Sequence, residues 1–565
     1  MGTRQQVKIR RDGKNIILSD LPVSAPDPLC SVIKLSVKKT AMKKKPLSYR
    51  CILNDDGDGL KVVPPPHDVS MVEGPVASLK GTPVDCLCWL VAGEIASYKS
   101  EVLETIYDRY GKSKPLPAGS GGGTAVFDGT ADVAHSLYQQ GIDYLPLLID
   151  HAHRAGIAFY ASFRMNDIHH RSHPDGCLAP DFWKKHQEYR IWGETDAYSY
   201  YNGAMDYSFE EVRERKLAAI AEVARNYAVD GIELDMSREP YFFQPDEAWE
   251  KRGILTEFLI QVRVRLKAAG RDIPIMVRTL FREDRLRHGG MDLRTWIADG
   301  LLDILVCTDL CNTFRADLEP WQSLCRTHKI PFYPSLEGWF AMDKRNFYDI
   351  FPNPDAPRHS QVSGGDRGPM LRAAAQNFAA QDIAGLALYN LWPRPNNCEP
   401  PAYLMELFNF LHREKRYQFW EGLPLYVEAQ RPPQYHQTIE FPVCGADIGG
   451  PDSRVTLCFR QMAVASPHCV YEQSSIVPPG LLKYTLNGVE TTESAITRRE
   501  QPAGRIPSGH NLKSHERIEI RLKGTALRNG MNQLAFSMPK VLTDREPYVY
   551  IFELCVNVQF AGASY

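Results

Sequence analysis

Residues 227 to 235 read Tyr227-Ala-Val-Asp-Gly-Ile-Glu-Leu-Asp235, and the chain continues Met236-Ser-Arg238-Glu239. Upstream, Ile220, Val223, Ala224 and Tyr227 recur at helical spacing, and Asp230-Gly231 breaks that period. Ile232 and Leu234 then alternate with Glu233 and Asp235, which is the period of a strand with one apolar and one polar face. Helix, turn, strand and an acidic end together predict one β/α unit. Ser208-Phe-Glu-Glu211 predicts the start of its helix as a capping box, with Ser208 accepting from the N3 amide and Glu211 reaching back.

The same theme repeats on both sides. Apolar runs at Cys51–Asn54, Val84–Leu90, Ile157–Phe163, Gly231–Asp235, Ile273–Thr279, Ile304–Thr308, Phe332–Glu337 and Ile383–Asn390 are each followed by a polar or Gly-containing loop. Leu255, Phe258, Leu259, Val262 and Leu266 mark another helix that Gly270 closes. Such strands with intervening helices predict an α/β fold, a (β/α)8 TIM barrel with long insertions over residues 48–412. An open doubly wound sheet is the alternative. It is weakened because Gly121-Gly-Gly123 has no strand before it, so no phosphate fingerprint is present.

Beyond residue 412 the texture changes to short alternating runs, among them Val455–Phe459, Leu482–Leu486 before Asn487-Gly488, Arg517–Leu522, Gln533–Ser537 and Tyr548–Phe552. These predict an accessory antiparallel β-sandwich over 413–565. Residues 1–47 look β-rich, with Lys34-Leu-Ser-Val-Lys38 alternating, and are an N-terminal extension that could add strands to the sandwich.

With 565 residues, 44% of them hydrophobic and 24% charged, the chain is too long for a single small module and too apolar to be disordered. The 66 Lys and Arg against 68 Asp and Glu leave no field to recruit nucleic acid or an anionic membrane. The 13 cysteines sit mostly in apolar runs and do not read as a disulfide framework. No metal and no cofactor is expected, since Cys86 and Cys88 have no second pair at a ligand-like distance. No signal peptide or membrane-span pattern is present, so the chain as written is expected to be cytoplasmic, or periplasmic or secreted had a leader been removed. Oligomeric state is not specified.

A barrel presents its chemistry at the C-terminal ends of its strands. Those ends read Phe163-Arg-Met-Asn-Asp167 with His169, His170 and His173 beyond; Glu233-Leu-Asp235; Arg278; Thr308-Asp309; Glu337-Gly-Trp339; and Tyr389-Asn-Leu-Trp392. Carboxylates, amides and guanidinium groups beside aromatics suit a sugar. Glycosidic cleavage needs an ionised and a protonated carboxyl. Asp235 is the first choice for the ionised group and Glu337 for the acid, with Asp309 close behind. Trp89, Trp339 and Trp392 are candidate stacking platforms. Arg164, Asn166, Asp167, His169, Glu233, Arg278, Tyr389 and Asn390 are candidate substrate contacts, and the arginines, with Arg171, Arg238 and Arg282, would suit an anionic sugar. His151 and His153 precede the third strand, at the wrong end of the barrel for chemistry.

At these residues the sequence resembles the bacterial glycosyl-hydrolase-like proteins of the family-10-like group, (β/α)8 glycoside hydrolases. The resemblance spans about residues 48–410. It rests on Asn54-Asp-Asp-Gly57, Val84-Asp85, Cys88-Trp89, the run Met205-Asp-Tyr-Ser-Phe-Glu-Glu-Val-Arg-Glu214, and Tyr227 through Asp235. It implies a carbohydrate-active barrel with Asp235 in the active site. Similarity to cellulase-type barrels implies an acid at Glu337, and similarity to α-galactosidase-like barrels one at Asp309. The reading is a glycoside hydrolase acting on a poly- or oligosaccharide. The alternatives are a catalytically silent carbohydrate-binding barrel, and a metal-dependent hydrolase or lyase in which His169, His170 or His173 converges with Asp167.

Overall fold

A computed structural model describes residues 8–12, 15–19, 47–61, 63–111, 129–171, 174–192, 202–308, 318–337, 367–389, 415–418, 425–427, 436–443, 453–464, 475–505, 511–522, 526–538 and 548–560. Within 48–565, the strands β1 (Cys51–Asp55), β2 (Cys86–Ala92), β3 (Ala158–Arg164), β4 (Gly231–Asp235), β5 (Ile275–Leu280), β6 (Ile304–Thr308), β7 (Phe332–Glu337) and β8 (Leu386–Tyr389) form one closed sheet. All neighbours are parallel, and β8 closes the cylinder by pairing with both β7 and β1. The predicted barrel is therefore present, each strand lying where the apolar runs place it.

Alternation along the strands decides which side chains enter the lumen. Asn54 of β1 donates to Glu233 of β4, and the Cys88 thiol of β2 lies 3.7 Å from the Met276 sulfur of β5. Neither pair is on adjacent strands, so both contacts cross the interior. The intervening residues, such as Leu53, Leu87, Phe159, Phe163, Ile232, Leu234 and Val277, join the apolar layer under the helices.

Helices α1 (Tyr144–Arg154), α2 (Glu210–Asn226) and α3 (Arg252–Ala268) precede β3, β4 and β5. Leu255, Phe258, Leu259, Val262 and Leu266 are the buried face of α3, as their spacing predicts. Gly270, at φ 77°, lets the Arg271 N–H return 3.0 Å to the Leu266 carbonyl and end the helix. The capping box on α2 does not form. Phe209 occupies the cap position without a side-chain bond, while the Ser208 hydroxyl accepts from Lys251 Nζ at 3.0 Å. A tertiary ion has taken the cap's acceptor.

The N-terminal end of the barrel is closed by tyrosines. Tyr49 donates its N–H to the Tyr333 hydroxyl at 2.7 Å, and its own hydroxyl lies 3.1 Å from that of Tyr160.

In the C-terminal part, Lys415–Gln418, Tyr548–Phe560, Ser453–Val464, His515–Leu522 and Ile496–Gln501 run side by side, with Leu425–Val427 also on Tyr548–Phe560. His436–Val443, Gly530–Ser537, Lys483–Leu486 and Val489–Glu490 make a second antiparallel sheet. Phe459 of the first packs on Tyr484 and Phe536 of the second, with ring centroids 5.3 and 5.4 Å apart. Asn487 and Gly488, at φ 51° and 84°, turn Leu486 onto Val489 as a type I′ hairpin requires.

Residues 1–47 are a separate unit, in which Lys8–Asp12 pairs antiparallel with Asn15–Ser19; Lys34–Lys38 lies outside the described residues. No helix among the described residues is long and apolar enough to cross a membrane.

Candidate active site

The inward residues at the C-terminal ends of β3, β4 and β5 are charged: Arg164, Asp235 and Arg278. Asp235, the last residue of β4, accepts from Arg278 of β5 at 3.0 Å, and from the Ser237 N–H and hydroxyl at 3.0 and 2.8 Å. The ion-paired side chains are 1% and 2% exposed. Burial opposes the charge on Asp235, but Arg278, Arg164 and the Ser237 bonds outweigh it and hold its pKa below the usual range. The Arg278 guanidinium in turn stacks 3.8 Å above the Tyr389 ring of β8.

From Tyr389 the network continues around the mouth. Its hydroxyl donates to Asp56 at 3.4 Å, and Asp56 accepts from Arg164, the last residue of β3, at 2.7 Å. Arg164 also lies 3.6 Å from Asp167, whose other oxygen meets His169 Nδ1 at 2.6 Å and its N–H at 2.9 Å. His169 Nε2 is 3.4 Å from Arg238, and Arg238 donates to Glu239 at 2.8 Å. Asp167 is partly buried, and although that desolvation raises its pKa, His169 and Arg164 keep it well below its ordinary value. Glu239 goes the other way: burial raises its pKa against the pull of Arg238 and Arg164. Its Oε2 has no hydrogen-bond partner among the described residues. The mouth thus carries carboxyl groups whose pKa values are pushed in opposite directions, the pattern that acid and base roles in one site require.

Two further features support this arc from below. Glu233 sits one inward step under Asp235 and accepts from Asn54 at 2.5 Å. Burial first, and the Asp235 charge second, lift its pKa to about 7 against Arg278. Lys216 of α2 reaches under the ends of β2 and β3, donating to the carbonyls of Gly93 at 2.6 Å and Arg164 at 3.1 Å and pairing with Glu94 at 3.0 Å. It ties the backbone that carries Arg164 to the helix layer.

Of the residues singled out from sequence, Asp235, Arg164, Asp167, His169, Arg278 and Tyr389 come together here. Glu233 is present but deeper, bound to Asn54 rather than offered to the mouth. Asn166 is spent on structure, donating to the Met205 and Tyr241 carbonyls at 2.9 and 2.8 Å and accepting from Met205 N–H at 2.9 Å. Trp89 is turned out of the lumen by alternation, is 1% exposed and donates to the Tyr144 hydroxyl of α1 at 3.2 Å. The β7 backbone places Glu337 opposite Tyr389. Asp309, Trp339, Asn390, Trp392 and His173 lie outside the described residues.

His170 packs edge-on against Trp183 with centroids 4.5 Å apart, and His153 pairs with Asp230 at 2.9 Å beside the start of β4. Among the described residues no group of His, Cys, Asp and Glu is arranged to hold a metal. Arg164, Arg238, Arg278 and Arg282 each face a carboxylate.

Asp56, Glu239 and the Lys216–Glu94 pair were not singled out from sequence as site residues. Asp56 and Glu239 lie just past strands β1 and β4, where position along the strand is the available signal. Lys216 gives none, since a lysine on an amphipathic helix ordinarily faces solvent.

No protein-family model matches the chain, and no curated protein does. Solved structures are similar in part. They include alpha-L-fucosidase isoenzyme 2 from Paenibacillus thiaminolyticus, 12% identical with a TM-score of 0.39, covering 64% of this chain and 49% of that one. The PgaB (BpsB) glycoside hydrolase domain from Bordetella bronchiseptica is 10% identical with a TM-score of 0.35, covering 64% and 97%. A GH18 chitinase from Pseudoalteromonas aurantia is 10% identical with a TM-score of 0.30, covering 64% and 100%. The chain spans about half the length of the fucosidase. These neighbours are glycoside hydrolases and do not single out the family-10-like group; at such identities and scores the likeness carries no argument about the site.

Proposed function

We propose that the protein is a glycoside hydrolase that cleaves a poly- or oligosaccharide at the barrel mouth, with Asp235 as the ionised carboxylate. One observation carries the reading: a carboxylate at the end of β4 is held ionised by Arg278 and oriented by two bonds from Ser237. A carboxylate fixed in this way is suited to attack an anomeric carbon or to take a proton from water. The second carboxyl protonates the leaving oxygen. Glu337 is the first candidate for it and Asp309 the second, with Glu239 a third because burial favours its protonated form. The pairing of the mouth arginines with carboxylates favours a neutral sugar over an anionic one, since each guanidinium already has its counter-charge.

The test is a screen of neutral, uronic and sulfated glycans with wild-type protein and Asp235→Asn in parallel. Turnover of a neutral glycan that vanishes in the variant is expected. Turnover that survives Asp235→Asn removes Asp235 from its role, and binding without turnover across the screen returns the barrel to a sugar-binding reading. Glu337→Gln, Asp309→Asn and Glu239→Gln are then compared on substrates with good and poor leaving groups. The true acid is the one whose loss is rescued by a good leaving group, which needs no proton.

A further inference from the structure

Beside the mouth, between the segments that follow β1, β2 and β3, lies a cavity of about 70 Å³. By the same measure one water needs about 10–15 Å³, so the space holds roughly five water-sized positions. Its walls include Leu60, Ile95, Ala134 and Leu178, and its polar lining includes Asp56 and Asp167, both members of the arc around the mouth. Lys61 and Asp132 also line it but serve the scaffold. Lys61 pairs with Asp58 at 2.9 Å, and Asp132 caps the Val133–Gln139 helix through the His135 N–H at 3.1 Å.

The polar edge has a specific acceptor. Asp167 gives Oδ1 to His169, while Oδ2 meets Arg164 only at 3.6 Å, beyond hydrogen-bond range. Oδ2 also lies against Gly93, another residue of the lining: a Cβ there would fall 2.7 Å from it, so any larger side chain would force Asp167 to shift. An ionised acceptor beside a small, largely apolar space matches a group that joins an N–H to a methyl. A carboxylate or sulfate substituent would be repelled by Asp56 and Asp167. A bare ammonium would leave the apolar walls unfilled.

We propose that this cavity is a subsite for the acetamido group of an N-acetylated sugar, the N–H donating to Asp167 Oδ2 and the methyl entering the apolar space. The assignment rests on the reading of the mouth as a sugar site and adds the substituent it selects.

The experiment measures binding of glucose, glucosamine and N-acetylglucosamine to the full chain by saturation-transfer NMR. N-acetylglucosamine is expected to bind about tenfold more tightly than glucose, the scale of one buried methyl plus a hydrogen bond. Its acetyl methyl should receive the largest saturation. Leu178→Phe, which adds bulk from a half-buried wall, should abolish the preference; Ala134→Leu is a second filling variant, and thermal melting checks that each is folded. Equal affinity for the three sugars, tighter binding of glucosamine, or a preference that survives both folded filling variants overturns the subsite. Binding of N-acetylglucosamine without hydrolysis of any glycan leaves the subsite standing and overturns the hydrolase. Hydrolysis of unacetylated glycans with no acetyl preference does the reverse.

Discussion

The two ends of the barrel are lined by the same strands and solved in opposite ways. At the N-terminal end the inward side chains are tyrosines whose hydroxyls bond to one another and to the Tyr49 backbone. At the C-terminal end, along β3 from Tyr160 to Arg164, the lining becomes ionic, and Asp235, Asp56, Asp167 and Glu239 each lie against an arginine. Burial treats the two ends differently. A phenol can remain neutral and cost little, whereas a carboxylate or guanidinium in the same depth must be paired or change its protonation. Buried ion pairs with shifted pKa values, gathered at one end only, are the mark of a functional site rather than of a stabilising plug.

Asp235→Asn separates the ends most sharply. It should lower turnover of the screened glycan on the order of 10³-fold or more, while far-UV circular dichroism stays native. A loss of less than tenfold would mean that the ionic end is scaffold, like the tyrosine end.

Lys216→Met comes next and concerns the support of the mouth. It leaves Glu94 buried without its cation, which costs about 3–5 kcal/mol, read from the urea midpoint. A change below about 1 kcal/mol would show that water reaches the pair.

Glu233→Gln sharpens the comparison through pH. Burial raises the Glu233 pKa from 4.5 to about 7, so its neutral form is favoured by folding. Its contribution is complete below the unfolded value and is lost as pH rises from about 4.5 to 7. Asp55, raised to about 7 by burial, adds a loss of the same sign. Asp235 has the opposite sign, its contribution being present above its unfolded value and lost as pH falls through its depressed one. Glu233→Gln should therefore flatten the decline between about pH 4.5 and 7 without changing the acid limb. An unaltered profile of urea midpoint against pH would contradict the burial argument.

Tyr160→Phe tests the other end and has the smallest effect. One hydroxyl contact at 3.1 Å is removed, with an expected cost of about 0.5–1.5 kcal/mol and unchanged turnover. A large loss of turnover would break the division between the two ends.

The barrel was legible in the chain because strand and helix periods are local. Ile232 and Leu234 alternate with Glu233 and Asp235 whatever surrounds them, and the α3 stripe from Leu255 to Leu266 marks its buried face. The capping box at Ser208 was a valid local pattern that lost to Lys251, 43 residues away in sequence. Trp89 and Asn166 have surroundings that their place in the sequence does not give. Trp89 stands in the middle of β2 on its outward face, and Asn166, two residues past the end of β3, is engaged by the Met205 and Tyr241 backbone, partners 39 and 75 residues away in sequence.

Sequence by itself determined the order of β/α units, the change of texture beyond residue 412, and the placing of Asp235 on an inward-facing strand end. Tertiary structure alone decided that Arg278 neutralises it, that Asp56, Arg164 and Asp167 complete the arc, and that Glu233 is drawn under it with a raised pKa. The reason is range. Periodicity is written within a few neighbouring residues, whereas pairing and burial of charges depend on which distant strand ends the closed cylinder brings within a few ångströms.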